Sequence, residues 1–160
     1  MIKIQVKGAE RVAAMLRKAV ENVYDGARAG MYQGAMVVES KSKGLAPIDT
    51  SNLRASHFIF RKDHPAPTPK IINLPGVDVN KLREAFANTM AISSQQVRDK
   101  NTVRVGAAAF YALAVEFGNP AWNWKHGGPR YLRSARDSST AEILRLAARG
   151  GANALRRSTK

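Results

Sequence analysis

The feature that most constrains this sequence is a long stretch of helical periodicity from Ala9 to Gly44. Its apolar residues recur three and four positions apart, at Val12, Met15, Leu16, Ala19, Val20 and Val23, and then at Met31, Ala35, Val38 and, more weakly, Ser42. Gly26 and Gly30 interrupt the pattern, so the spacing predicts two helices or one bent helix. The helical region is predicted to end near Gly44, because glycine can cap a helix and Pro47 cannot continue one.

The other segments predict a mixed fold around this helical region. Short apolar and polar alternations predict strands over residues 2–6, in HFIFRKD from His57 and in TVRVG. Helical spacing predicts further helices over 78–99, in AAAFYALAVEFG as a buried helix ending at Gly118, and from Tyr131 to about Arg157. Because strands and helices do not alternate regularly, the sequence favours an α+β fold, with a small antiparallel sheet packed by long helices.

Length and composition indicate a single domain over residues 1–160. A chain of this length buries a core without disulfides, and a hydrophobic content of 44% is typical of globular proteins. Four prolines and one glycine between 63 and 78 predict an extended loop or arm. Residues 150–160 are predicted to form a basic C-terminal tail.

Several functional classes find no support in the sequence. Cysteine is absent, which excludes thiolate metal sites, and the three histidines lie far apart without the spacing of a zinc site. No apolar run approaches the roughly 20 residues of a membrane span, and the N-terminus lacks the apolar core of a signal peptide. We therefore expect a soluble chain made in the cytoplasm, with no cofactor and no membrane partner.

The net charge of +14 is the largest anomaly of the composition. Twenty-six Lys and Arg against twelve Asp and Glu imply a polyanion nearby or an acidic partner surface, and the count does not choose between them. From Lys125 to Lys160 the basic residues spread around the predicted helix, which favours a solvated or subunit-facing surface. The alternative is non-specific contact with DNA phosphates through Arg145, Arg149, Arg156 and Arg157.

The segment APIDTSNLRAS contains an Asp-Thr-Ser that is close to the Asp-Thr-Gly of aspartic proteases. That chemistry needs two carboxylates about 3 Å apart, and no second such motif is present, so a hydrolase would have to be a dimer around Asp49. A structural role fits better, because Asp49, Thr50 and Ser51 can each accept a hydrogen bond from a free N–H group of a following helical turn. Leu53 is predicted to point inward, and no enzymatic activity is predicted.

Glu116 and two tryptophans are the other candidate functional residues. Glu116 lies among apolar residues in YALAVEFGN, where an unpaired carboxylate would be costly. A structural ion pair with Arg54 or Arg104 is therefore predicted instead of a general base. In AWNWKHGGPRYL, Trp122 and Trp124 are predicted to anchor a loop on this domain or on a neighbouring subunit, with stacking on single-stranded nucleic acid as the alternative.

Three segments taken together resemble one phage family. KSKGLAPIDTSNLRAS resembles its helix end followed by Ala-Pro-x-Asp-Thr-Gly-x-Leu-Arg-x-Ser, and VRVGAAAFYALAVEFGNP resembles its Val-x-Val-Gly strand followed by Tyr-Ala-x-x-Val-Glu-Phe-Gly-Thr. GGPRYLRSAR resembles its closing Pro-x-Phe-Leu-x-x-Ala helix start. The family is that of the tail-component or neck proteins of tailed bacteriophages, the gene-product-ten-like family. The chain departs from its pattern at Ser51 and Asn119, where the family has Gly and Thr.

The resemblance implies a virion structural protein, a head–tail joining or tail-completion component that forms a ring of identical subunits at the head–tail junction. Its partners would be itself, the neighbouring head-closure, connector and tail proteins, and DNA in the neck channel. The positions that match the family motifs, and are implied to be structural, are Asp49, Thr50, Leu53, Arg54, Tyr111, Glu116, Phe117 and Gly118. Contacts with neighbours are expected from the proline-rich arm and the tryptophan loop, at Pro67, Pro69, Trp122, Trp124, Arg130 and Tyr131.

Overall fold

The computed structural model describes residues 8–47, 51–68, 70–73, 75–118 and 127–158. Within these ranges the chain is α+β, with a two-stranded antiparallel sheet packed against long helices, as the sequence predicts. Its elements in chain order are α1 (Ala9–Leu45), α2 (Asn52–Ala55), β1 (His57–Arg61), α3 (Val79–Gln96), β2 (Val103–Ala107), α4 (Ala112–Phe117), α5 (Tyr131–Asp137) and α6 (Thr140–Ser158). The strand predicted over 2–6 lies outside the described residues.

Helix α1 is one continuous helix of 37 residues, so the two-helix alternative is wrong. The glycines that interrupt its apolar pattern lie where α6 packs against it. A Cβ atom on Gly30 would lie 2.1 Å from the carbonyl oxygen of Leu146, and one on Gly26 would lie 2.3 Å from that of Gly150. No larger residue fits at this separation of the two backbones. These glycines therefore permit close helix packing and do not break the helix.

Helices α1 and α6 form an antiparallel pair. The points of contact run in opposite directions along the two helices, from Gly34 with Ile143, through Gly30 with Leu146 and Gly26 with Gly150, to Asn22 with Ser158. At the last point the Asn22 side-chain amide donates a hydrogen bond to the Ser158 hydroxyl over 2.8 Å. The described part of α6 therefore covers α1 only as far towards its N-terminus as Asn22.

The sheet confirms both strand predictions that fall on described residues. Strands β1 and β2 pair in an antiparallel register whose ends join His57 to Ala107 and Arg61 to Val103. Phe58 and Phe60 of β1 point into a core cluster with Phe86 of α3 and the following Val97. From Phe58 to Arg61, buried and half-buried residues alternate, as expected for a strand with one buried face, while His57 at the start of the strand is also buried.

Helix α3 confirms the helical prediction over 78–99. The Asp78 carboxylate caps it by accepting a hydrogen bond from the N–H group of Lys81 at 3.1 Å. The predicted arm before it contains no helix or strand in its described part. This arm is tied to its own chain at Ile72, whose carbonyl oxygen and N–H group bond the Asn52 side-chain amide at 2.9 and 2.8 Å.

In the second half of the chain one helical prediction needs correction, and the prediction of a mostly helical region from Tyr131 to about Arg157 is confirmed. AAAFYALAVEFG forms only the short helix α4, in which Ala112 and Val115 alone are buried, so the prediction of a buried helix is wrong. The region after Tyr131 is divided into α5 and α6 by a turn at 138–139. Residues 150–158, within the predicted basic C-terminal tail, continue α6 as helix.

Candidate interaction surfaces

The three segments that carry the family resemblance meet in one hydrophobic core. Leu53 from the first segment, Val115 from the second and Tyr131 from the third are buried in the same cluster. The first and third segments are also joined through the backbone, because the N–H group of Gly128 donates to the carbonyl oxygen of Leu45 over 3.2 Å. Segments that are far apart in sequence therefore form one packed unit, and Leu53 points inward as predicted.

Arg54 binds the end of α1 and does not form an ion pair with Glu116. Its guanidinium donates through Nε and Nη2 to the carbonyl oxygen of Ala46, at 3.1 and 2.8 Å. Arg104, the other predicted partner of Glu116, donates to the side-chain oxygen of Gln96. Both predicted ion pairs are wrong. The C-terminal carbonyl groups of a helix lack internal partners, which explains why a cation lies at this end of α1.

Glu116 instead caps helix α5. Its carboxylate oxygens accept hydrogen bonds from the N–H groups of Leu132 and Arg133, at 3.0 and 3.1 Å. Its own carbonyl oxygen accepts a third bond, from the N–H group of Arg130 at 2.7 Å. The first N–H groups of a helix have no internal acceptor and carry a partial positive charge, so they satisfy the half-buried carboxylate without a cationic side chain. The structural role predicted for Glu116 holds, with backbone as its partner.

Four positions of the motif segments have a positive φ, namely Ser51, Gly118, Gly127 and Arg130. Ser51 precedes α2 at φ 59° and makes no side-chain hydrogen bond to the helix, so its predicted capping role is wrong. Glycine adopts this conformation without strain, and glycine is the residue that the phage family has there. Gly118 ends α4, as the sequence predicts, and its φ of 77° is a conformation that glycine adopts without strain. Asp49 and Thr50 lie outside the described residues, and their capping roles stay predictions.

The residues predicted to contact neighbouring subunits have different environments. Arg130 is exposed and Pro67 is half-buried. Tyr131 is only 1% exposed and its ring lies against that of His57, with 5.5 Å between centroids, so the predicted contact of Tyr131 with a neighbour is wrong. Burial, with the nearby Glu116 charge, raises the pKa of the Tyr131 hydroxyl well above its ordinary value. Outside the described residues lie Pro69, Trp122 and Trp124.

Three large apolar side chains on α4 and just before it are exposed and form a ridge. We call the residues Phe110, Leu113 and Phe117 the α4 ridge, and each of them is between 56% and 69% exposed. The Phe110 ring stands edge-on to the half-buried Tyr111 ring at 5.1 Å. Tyr111 and Phe117 are candidate residues of the sequence analysis, but the ridge residues Phe110 and Leu113 are not. The four-residue spacing of Leu113 and Phe117, which places them on one helix face, was the signal for them.

A separate apolar groove is lined by residues that do not belong to the ridge. We call it the α1–β2 groove; its volume is about 450 Å³, and its apolar lining includes Met31, Val38, Val103, Val105, Leu132 and Ile143. Arg133, Arg136 and Glu116 supply its charged lining. Because five separate elements (α1, β2, α4, α5 and α6) contribute to it, no local sequence pattern indicates this groove.

Three arginines of α6 are more clustered around the helix axis than the sequence analysis predicts. At about 100° per residue, Arg145, Arg149 and Arg156 fall within about 40° of one another around the helix axis. Arg145 and Arg156 lie on the side away from Gly150, which faces α1, whereas Arg149 borders a cleft between the two helices. The prediction that the basic residues spread around a single helix is therefore wrong for these three, and we call them the α6 basic face. Arg157 lies off this face and lines a cleft with Asn22 of α1.

The part of the chain that the structure describes contains no cluster of side chains that could hold a metal ion. There, no three His, Asp or Glu side chains come together as a metal site would require. Among the described helices, none combines the length and apolarity needed to cross a bilayer. Comparison with family models, curated proteins and solved structures finds no match to this chain.

Proposed function

We propose that this chain is a structural protein of a tailed-phage virion, a neck component that joins head and tail or completes the tail. The observation that carries the proposal is the convergence of the three family-like segments. Isolated short motifs have little specificity, but these three share a core through Leu53, Val115 and Tyr131. Glu116 of the second segment also caps the helix that opens in the third. The three segments therefore stabilise one another, as we expect of motifs that belong to one family fold.

We further propose that the chain closes into a ring of identical subunits through the α4 ridge and the α1–β2 groove. A ring needs a head-to-tail interface, in which two different surfaces of the same chain meet. The ridge exposes Phe110, Leu113 and Phe117 to solvent. The groove offers an apolar recess of about 450 Å³ that none of the three ridge residues lines, and α4 contributes only Glu116 to it. Insertion of the ridge of one subunit into the groove of the next would bury both surfaces, and apolar burial drives association.

The net charge of +14 opposes this self-association. Charges separated by more than about 10 Å are largely screened at 0.1 M salt, so added salt weakens the repulsion between subunits. We therefore expect rings to become more stable as ionic strength rises. In the virion, acidic surfaces of adjoining rings or DNA in the channel would offset the same charge.

The test is the oligomeric state of the purified chain, measured by native mass spectrometry and by electron microscopy over a series of salt concentrations. We expect rings with one defined number of subunits. Phe117→Ser should give monomers with an unchanged melting temperature, because Phe117 is 68% exposed within the subunit. The matched control is Leu144→Ser on α6, which is 66% exposed and lies outside both surfaces, and it should leave the rings intact.

Two results would contradict the proposal at different levels. A wild-type chain that stays monomeric at every salt and protein concentration would remove the ring. Rings that survive Phe117→Ser would keep the ring but show that the α4 ridge is not its interface.

A second candidate function, non-specific nucleic-acid binding, is supported by the α6 basic face. Arg145, Arg149 and Arg156 share one side of a helix, an arrangement that can follow a row of phosphates. Gel-shift titration with duplex and single-stranded DNA tests this function. We expect an affinity that falls steeply with salt and falls further when all three arginines are replaced by glutamine. Absence of binding to either DNA at low salt would remove this candidate.

A further inference from the structure

The face of α1 that packs on α6 continues towards the N-terminus beyond the end of α6. Positions on this face alternate four and three residues apart, at Val12, Leu16, Ala19, Val23, Gly26 and Gly30. Such spacing keeps one side of a helix in contact with a partner helix along its length. Helix α6 covers the glycine half, and its described part ends where Ser158 meets Asn22. The remaining aliphatic half has no covering helix among the described residues.

This aliphatic half is a broad apolar surface. Its large side chains are Val12, Met15, Leu16 and Val20, each between 53% and 63% exposed, and we call them the α1 N-terminal face. Aliphatic side chains at helical spacing normally lie on the buried side of a helix. Contiguous exposed apolar patches on soluble proteins commonly mark interaction sites. The continuity with the α1–α6 contact indicates that the missing partner is another helix.

The charges around the α1 N-terminal face indicate what kind of helix it would bind. Arg11 and Lys18 border the face on one side and Arg17 on the other, and all three are exposed. Of the two acids in this part of α1, Glu21 lies on the opposite side of the helix and Glu10 lies in its first turn. Positive charges along both borders favour a partner with negative charges beside its apolar residues.

We propose that the α1 N-terminal face binds an amphipathic helix of a different protein, with aspartate and glutamate flanking the apolar side of that helix. A second copy of this chain is a poor occupant. Its own α1 would bring Arg11, Arg17 and Lys18 against the same residues, and each chain carries a net charge of +14. This site is separate from the α4 ridge and the α1–β2 groove. The proposed ring and the docking of an acidic helix can therefore each fail without the other.

The test uses the full chain and a synthetic peptide of about 21 residues, three heptads, with leucine and alanine on one side and glutamate flanking them. A second peptide of the same sequence, with lysine in place of glutamate, measures the contribution of charge. Isothermal titration calorimetry should show binding of the glutamate peptide, and the lysine peptide should bind at least about tenfold more weakly. Added salt should reduce the difference between them.

Leu16→Gln tests whether the peptide occupies the proposed face. Leu16 is 62% exposed, so the variant should fold normally, as circular dichroism and the melting temperature will show. Its affinity for the glutamate peptide should fall by about tenfold or more, because the leucine would be buried only in the complex. Leu144→Gln on α6, where Leu144 is 66% exposed, is the matched control and should bind like the wild type.

Several outcomes would overturn the inference. The first is failure of both peptides to bind, and the second is equal affinity for the two. A Leu16→Gln variant that binds like the wild type would show that the peptide sits elsewhere. Dimerisation that Leu16→Gln abolishes would assign the face to a second copy. Binding to phosphatidylglycerol vesicles that depends on Leu16, without binding of the glutamate peptide, would assign it to a membrane surface.

Discussion

Replacing Gly30 with alanine tests the close contact between α1 and α6 most directly. The added Cβ would lie 2.1 Å from the carbonyl oxygen of Leu146 and 2.7 Å from the Cα of Ala147. Both neighbours are backbone atoms in the middle of a helix, so they cannot rotate away as a side chain can. A carbon–oxygen contact needs about 3.3 Å, and the two helices would have to separate locally by about 1 Å.

The magnitude follows from two opposing effects. Overpacking in a close-packed interface costs about 1–3 kcal/mol. Alanine also has a better helix propensity than glycine, which returns up to about 1 kcal/mol. We expect Gly30→Ala to lower the free energy of unfolding by about 1–2 kcal/mol. For a chain of this size each kcal/mol corresponds to about 2–4 °C in melting temperature.

Gly44→Ala is the matched control. Gly44 lies in the same helix, and a Cβ there would meet no atom within 4 Å, so only the propensity gain applies. Its melting temperature should rise, while that of Gly30→Ala should fall, in thermal unfolding followed by circular dichroism. If both variants were stabilised alike, α1 and α6 would not pack backbone to backbone, and the antiparallel pairing described here would be refuted.

Three further results are expected from thermal unfolding. Glu116→Ala should lower the free energy of unfolding by about 0.5–2 kcal/mol, because two N–H groups of α5 lose their acceptor. The control Glu142→Ala should lower it little, since the partner of Glu142 is an exposed arginine at 3.8 Å. Equal losses in the two variants would contradict the capping role. Ser51→Gly should stabilise the chain by up to about 1 kcal/mol by relieving a φ of 59°, and Ser138→Gly, at φ −72°, should give no gain. Burial lowers the pKa of His57 in the folded chain below the unfolded value of 6.5, so the unfolded chain binds a proton more readily. Stability should therefore be fully present above about pH 6.5 and fall as the pH drops below that value, less steeply in His57→Phe; identical pH profiles would contradict this.

The elements of the fold that the sequence predicts are those with a strong local period. The alternation in HFIFRKD and TVRVG gives β1 and β2, and the spacing of Leu82 and Phe86 gives α3. The sequence predicts breaks at Gly26 and Gly30, because glycine is a poor helix former. Their four-residue spacing was a second signal, of close packing, but only the position of α6 shows which of the two applies.

The interaction surfaces were harder to predict because they depend on tertiary contacts. Burial cost predicts correctly that Glu116 needs a partner, but spacing along the chain could not show that the start of α5 lies beside it. The ion pair with Arg54 failed for the same reason, since the end of α1 is closer to that guanidinium. The α1–β2 groove combines residues from five elements and has no signature in any of them.

The end of α6 at Asn22 has a consequence for how α1 tolerates changes in length. Beyond that residue, the direction of the α1 N-terminal face is set only by the helical phase. One inserted residue would turn the face by about 100° around the axis, and two would turn it almost to the opposite side. Seven inserted residues would restore its direction to within about 20° while moving it outward by about 10 Å. Functional variants of this segment should therefore differ in length by whole heptads. The length of α1 would then determine how far from α6 its binding partner lies.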